Sequence, residues 1–329
     1  MHKNTLFVHV GPHKTGTTLF QKSCLQNKET LLENGVYYPT EQFSHFGHHP
    51  LIDTIRERCV DEQVVNQIIK PGLNTLISSE NFIHLNASDW EYFKQSLAEL
   101  VDFKIIIAWR RTSEKLYSNW QESIKQGDVC TFSDFYFEDF IRPFGSEALN
   151  PSLKIKMLAS TFGKENLCIV DFNASKHNNS LMEDLYQLVN LEHSKLSPVQ
   201  DNTIKNTSMS PEIIEVIRSL NVVFQKNHNL HGPLCRELFL SNHPYLEPQL
   251  AVILDSMKGC KTFYSIGNYL IDRATEQEIR NVFSDQLYNY SEFNQAKNIY
   301  TINSSWMLDR KAQQAFEQIY QYLLTKLND

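Results

Sequence analysis

The stretch LFVHVGPHKTGTTLFQKSCLQ, Leu6 to Gln26, decides the reading of this chain. A short apolar segment runs into a turn of Gly, Pro, His, Lys, Thr and Gly, and the turn runs into a helix-like pattern. A strand that ends in such a turn and restarts as a helix presents backbone N–H groups at the helix N-terminus, where the helix dipole also favours negative charge. Gly11 and Gly16 permit the tight path, Lys14 adds a point charge, and Thr15, Thr17 and Thr18 add hydroxyl donors. The loop therefore offers a dense donor set to one phosphate-sized anion. The lysine stands before the second glycine, so the nucleotide-triphosphatase order G-x-x-x-x-G-K-[ST] is absent. The same residues also read as a capped helix start, with Thr15 or Thr17 as N-cap and Lys14 solvated.

Outward from the loop, Thr5 to Val10 reads as a buried strand and Gly16 to about Asn34 as a helix, with Gly35 placed for a left-handed C-terminus. Strand-like runs recur at Asn74 to Ser78, Phe103 to Trp109 and Leu167 to Asp171, with helical stretches between them. Strands separated by helices imply a mainly parallel sheet covered on both faces. The expected fold is α/β: a three-layer, P-loop-type parallel sheet flanked by helices, with a mostly helical last third and no strong strand after about Pro211. Length and patterning predict one domain over 1–329, with 200–329 as its helical extension.

A net charge of -7 without a basic cluster argues against nucleic acid as a partner. The six cysteines are far apart with no C-x-x-C pair, which predicts reduced thiols and a cytoplasmic chain. No apolar run approaches membrane-spanning length, and the one before the loop is too short for a signal peptide, so no membrane insertion is expected.

A second piece follows the strand FKIIIAW: Arg110 at its carboxyl end, then Ser118 eight residues on, within a helical pattern. Such a pair can converge on one anion in the crevice where open α/β sheets bind ligands, although a strand-end arginine is also an ordinary surface residue. Taken together, GPHKTGTT, the Arg110/Ser118 spacing and LISSENF resemble the sulfotransferases that use 3′-phosphoadenosine 5′-phosphosulfate, and LLENGVYYP, GHHPLI and SNWQESIKQG look especially like bacterial members. The resemblance covers about Leu6 to Phe172. It implies that the early loop grips the 5′-phosphosulfate and that Arg110 and Ser118 grip the 3′-phosphate. The implied donor-binding set is Gly11, His13, Lys14, Thr15, Gly16, Thr17, Thr18, Arg110 and Ser118. Two features depart from the family: Thr112 stands where a proline commonly follows the arginine, and the arginine-lysine-glycine string of cytosolic members is missing, Arg310-Lys311 lying in a helical pattern.

Sulfuryl transfer needs in-line approach, stabilisation of the bridging oxygen and a base for the incoming hydroxyl. The resemblance implies Lys14 as the stabiliser and sets Glu80, just after NTLIS, where cytosolic relatives place their catalytic histidine. The cluster His45, His48 and His49 supplies the alternative base, His48 and His49 foremost, since imidazole titrates near neutrality. Glu80 also reads as a capping carboxylate, and the histidines as a loop that only shapes the acceptor pocket. The expected acceptor is a small molecule or glycan, and no metal is expected. Two other functions fit a strand–loop–helix: a P-loop kinase or NTP-binding protein, and a non-catalytic nucleotide-binding relative.

Overall fold

The computed structural model describes residues 3–199, 209–264, 270–290 and 299–328. Its strands, in chain order, are β1 (Asn4–His9), β2 (Val36–Tyr37), β3 (Asn74–Ser78), β4 (Val101–Trp109), β5 (Leu167–Asp171), β6 (Lys261–Tyr264), β7 (Leu287–Tyr288) and β8 (Ile299–Ile302). The chain divides into two compact units. One spans 1–112, 147–203 and 272–294, the other 113–146, 204–271 and 295–329.

The first unit holds a six-stranded sheet of order β2-β3-β1-β4-β5-β7, parallel throughout. It is an α/β sheet flanked by helices, as the alternation of apolar strands and helical stretches predicts. Side-chain alternation along β1 builds both faces at once. Leu6, Val8 and Val10 enter one core with Ile77, Ile105, Trp90 and Phe93, while Phe7 enters the other with Phe20, Cys24, Leu76 and Ile106. Phe20 and Cys24 belong to α1 (Thr17–Gln26), which covers the second face.

The chain leaves β1 for β2 and β3 on one side and for β4 and β5 on the other, so the carboxyl ends of β1 and β4 form a topological switch point. Open α/β sheets bind ligands at such points.

The expected helix from Gly16 to Asn34 is two helices, α1 and a second at Lys28–Glu33. Asn27 divides them because its side-chain amide donates to the Ser23 carbonyl at 2.9 Å, competing with regular helical continuation.

The second unit contains nearly all of the helix Thr112–Lys125, the helices Pro211–His228, Leu234–Met257 and Arg310–Asn328, and the antiparallel pair β6–β8. Arg310 and Lys311 open the last of these helices. The last third is mostly helical, as expected, and its strands are short: β6 and β8 pair with each other, and β7 adds an edge strand to the main sheet. All three are two to four residues long, below the length at which periodicity registers. No described helix is long and apolar enough to cross a membrane. The six cysteines are free thiols.

Candidate functional site

The loop after β1 is pinned to β4. The Val10 N–H donates to the Ile106 carbonyl at 2.9 Å and the Ala108 N–H donates to the Gly11 carbonyl at 2.8 Å. The Gly11–Pro12 peptide is cis. Gly11 and Gly16 have φ of +79° and +81°, the region glycine adopts without steric cost, and Lys14 joins them at +67°. Gly16 caps α1 in that left-handed conformation with no side-chain cap bond, so neither threonine is the N-cap. Thr15 and Thr17 turn their hydroxyls back to the Pro12 carbonyl, at 2.6 and 3.4 Å, and both are buried. Of the three hydroxyls expected to face an anion, only Thr18 is exposed. The exposed hydroxyl of Thr18 and the first-turn amides of α1 are the loop's donors at the helix start.

Arg110, just past β4, donates from Nη1 to the Lys14 carbonyl at 2.8 Å, and its guanidinium carbon lies 5.2 Å from the centre of the Phe172 ring. The strand-end arginine and the loop are thus brought together. Ser118 is half-buried on the helix Thr112–Lys125 and belongs to the second unit.

Beside the loop stands Glu80. A Cβ built on Gly11 would lie 2.9 Å from the Glu80 Cα, so loop and glutamate touch backbone to backbone. Glu80 opens the short helix Glu80–His84, but the cap is Ser79, whose Oγ accepts from the Asn81 N–H at 3.2 Å. The Glu80 carboxylate instead accepts from the Gln21 side-chain amide at 2.9 Å and stands 3.9 Å from His49 Nε2. Both side chains are largely but not wholly covered, at 18% and 16% exposure. His49 Nδ1 lies 2.8 Å from Ser79 Oγ and 3.5 Å from Asn81 Nδ2.

His49 borders an open pocket of about 360 Å³ lined by Ser44, Asp53, Arg56, Asn81 and His84, with Pro50 and Ile52 as its apolar members. The rings of His84 and His13 lie 5.8 Å apart, which joins the pocket to the loop.

His48 does not share this position, and its assignment as a base is corrected. It is fully buried. Nδ1 accepts from the Ser78 N–H at 3.1 Å and Nε2 donates to the Pro39 carbonyl at 3.0 Å, with Tyr38 and Phe43 edge-on around the ring. Burial lowers its pKa to about 4, so it is a neutral tether between the 38–48 segment and β3. His45 is exposed, in a turn with φ +47°. Among the described residues no three His, Cys, Asp or Glu side chains gather as metal ligands.

The sequence reading missed His9, Gln21, Gly47 and Ser78. His9 and Ser78 are register partners on β1 and β3, so both point toward α1, and His9 Nδ1 lies 2.8 Å from Ser78 Oγ. His9 is fully buried, packs edge-on against Phe20, and has its pKa lowered to about 4 by burial, partly offset by the Glu80 carboxylate.

No protein-family model matches the chain, and no curated protein matches it. Among solved structures, a sulfotransferase from Alicyclobacillus acidocaldarius is similar at 14% identity, over 68% of this chain and 94% of that one, with a TM-score of 0.41. That degree of likeness bears on neither donor nor acceptor.

Proposed function

We propose that this protein transfers a sulfuryl group from 3′-phosphoadenosine 5′-phosphosulfate to a hydroxyl of a polar, carbohydrate-like acceptor. The carrying observation is the Glu80/His49 pair, set between the glycine loop after β1 and a polar pocket. Two side-chain atoms 3.9 Å apart leave room for one hydroxyl oxygen within about 2.8 Å of both.

Hydrogen counting assigns their roles. The Asn81 side-chain amide nitrogen near His49 Nδ1 can only donate, so we take Nδ1 as the acceptor, with the Ser79 hydroxyl turned toward it. The ring proton then sits on Nε2, facing Glu80. Glu80 keeps the lone pairs and takes the acceptor's proton, while His49 orients the oxygen. The acceptor oxygen forms the new S–O bond as the bond from sulfur to the bridging oxygen breaks, and the electron pair leaves with adenosine 3′,5′-bisphosphate. Lys14 and the α1 amides answer the charge that grows there, which makes them worth more in the transition state than in the ground state. Arg110 holds the Lys14 carbonyl and is assigned to the 3′-phosphate on the family resemblance.

The test is binding followed by turnover. Adenosine 3′,5′-bisphosphate at about a hundred times its Kd should stabilise the protein by about 2.7 kcal/mol, read as a rise in Tm, with MgATP doing much less. Glu80→Gln should cut sulfuryl transfer by about a hundredfold to ten-thousandfold and spare bisphosphate affinity. Equal stabilisation by MgATP would overturn the donor assignment in favour of phosphoryl chemistry.

A further inference from the structure

We infer that Gln21 is a positioning residue for the Glu80 carboxylate, and that Gly47 is the residue whose missing side chain makes room for it. The inference rests on the role given to Glu80 above.

Gln21 lies on the inner side of α1 and is buried at 1% exposure. A glutamine there must have partners, because an unpaired buried amide is costly. One hydrogen of its amide nitrogen goes to Glu80 Oε2 at 2.9 Å, and the other is shared between the Ser78 Oγ at 3.3 Å and the Ser78 carbonyl at 3.4 Å. The reverse orientation would turn the amide oxygen onto a carboxylate, so the network itself selects the orientation. Ser78 Oγ, accepting from Gln21, is also paired with His9 Nδ1 at 2.8 Å. That bond suits a neutral imidazole, the form burial favours for His9. A chain His9–Ser78–Gln21–Glu80 therefore runs from the covered face of the sheet to the carboxylate, and His9 Nε2, at its far end, is buried without a hydrogen-bond partner.

Gly47 closes the other side. A Cβ built there would lie 2.7 Å from Gln21 Nε2 and 2.9 Å from His49 Nε2, closer than real side chains pack. The two neighbours of the Glu80 carboxylate thus converge across the bare backbone of Gly47. Its φ is not in the left-handed region, so alanine fits the backbone. What a methyl would meet are the tips of two side chains, which can swing away. Gly47→Ala is therefore a wedge that removes no functional group but displaces the Gln21 amide and the His49 ring from the Glu80 carboxylate.

Transfer of the donor's sulfuryl group to water, read as bisphosphate release, needs no identified acceptor. Gln21→Leu and Gly47→Ala should each slow it by about a hundredfold, the scale of a misplacement near 1 Å, while bisphosphate affinity stays unchanged. Against a Glu80→Gln background, Gln21→Leu should cost almost nothing further, because its effect passes through the carboxylate. A second readout is independent of turnover. In ¹⁵N-labelled protein the Gln21 side-chain amide should give shifted, exchange-protected signals that move on Glu80→Gln and revert toward solvent values in Gly47→Ala. An undiminished loss in the Glu80→Gln background, or Gln21 signals indifferent to both substitutions, overturns the inference. If the wild-type protein fails to bind bisphosphate or release it from donor, the sulfotransferase reading falls and the amide signals alone decide this one.

Discussion

Acidification should unfold this protein through two histidines that take no part in proton transfer. His9 and His48 are fully buried, and burial lowers both from the ordinary 6.5 to about 4. A histidine whose folded pKa lies below its unfolded one is protonated preferentially in the unfolded chain between those values. The unfolded state then binds more protons, and stability falls as pH drops through that window. At 1.36 kcal/mol per pH unit, each histidine withdraws about 2 kcal/mol between pH 7 and pH 5, about 4 kcal/mol together. That is a large part of the 5 to 15 kcal/mol typical of a folded protein. Urea unfolding at pH 7 and pH 5 would measure it, in the wild type and in His9→Asn and His48→Gln. Each substitution carries its own cost at pH 7, so the informative quantity is the change with pH, which should shrink by about 2 kcal/mol per variant. A variant whose stability still falls as far as the wild type's would refute the view that its histidine is held neutral by burial.

Two further substitutions probe the loop. Gly11→Ala meets both a φ of +79° and the Glu80 backbone at 2.9 Å, whereas Gly35→Ala meets a φ of +82° with nothing within 4 Å. Gly35→Ala should cost only the left-handed strain of about 1 to 2 kcal/mol, Gly11→Ala clearly more in urea unfolding, and equal costs would mean the Glu80 contact yields freely. Arg110→Ala removes the bond to the Lys14 carbonyl, so it should weaken 5′-phosphate ligands as well as adenosine 3′,5′-bisphosphate in calorimetric titration. A loss confined to the ligand bearing a 3′-phosphate would mean that the loop holds its shape without Arg110.

The frame of the fold is legible because buried parallel strands are written as apolar runs. NTLIS and LCIVD match β3 and β5 residue for residue, and the first-unit sheet follows from their alternation with helices. The loop is legible because glycine spacing and a lysine survive without tertiary context. Glu80 could be placed at a strand end but not given a neighbour. Its hydrogen-bond partner, Gln21, is 59 residues away, and His49 reaches it only because His48 ties its segment to Ser78.

Adjacent histidines illustrate the limit. His48 and His49 look equivalent as residue types, yet one points into the core between Tyr38 and Phe43 and the other lines a pocket. Which of two neighbours faces inward depends on how a turn docks on β3, and no local pattern in FSHFGHHP records that. His9 and Gln21 did leave a signal. Leu6, Val8 and Val10 alternate with Phe7 and His9, so a polar residue falls on a face that Phe7 marks as buried, and Gln21 follows Phe20 on the buried side of α1. A polar side chain at a position periodicity assigns to the core must find a partner there or destabilise the fold. At the carboxyl end of a strand beside a switch point, that partner is the polar network supporting the site. Polar exceptions on β1 and α1 are therefore where such a sequence records its chemistry, and periodicity alone marks them as exceptions. Their pairing is not legible in the same way, because it is set by the β1–β3 register, which long-range packing alone fixes.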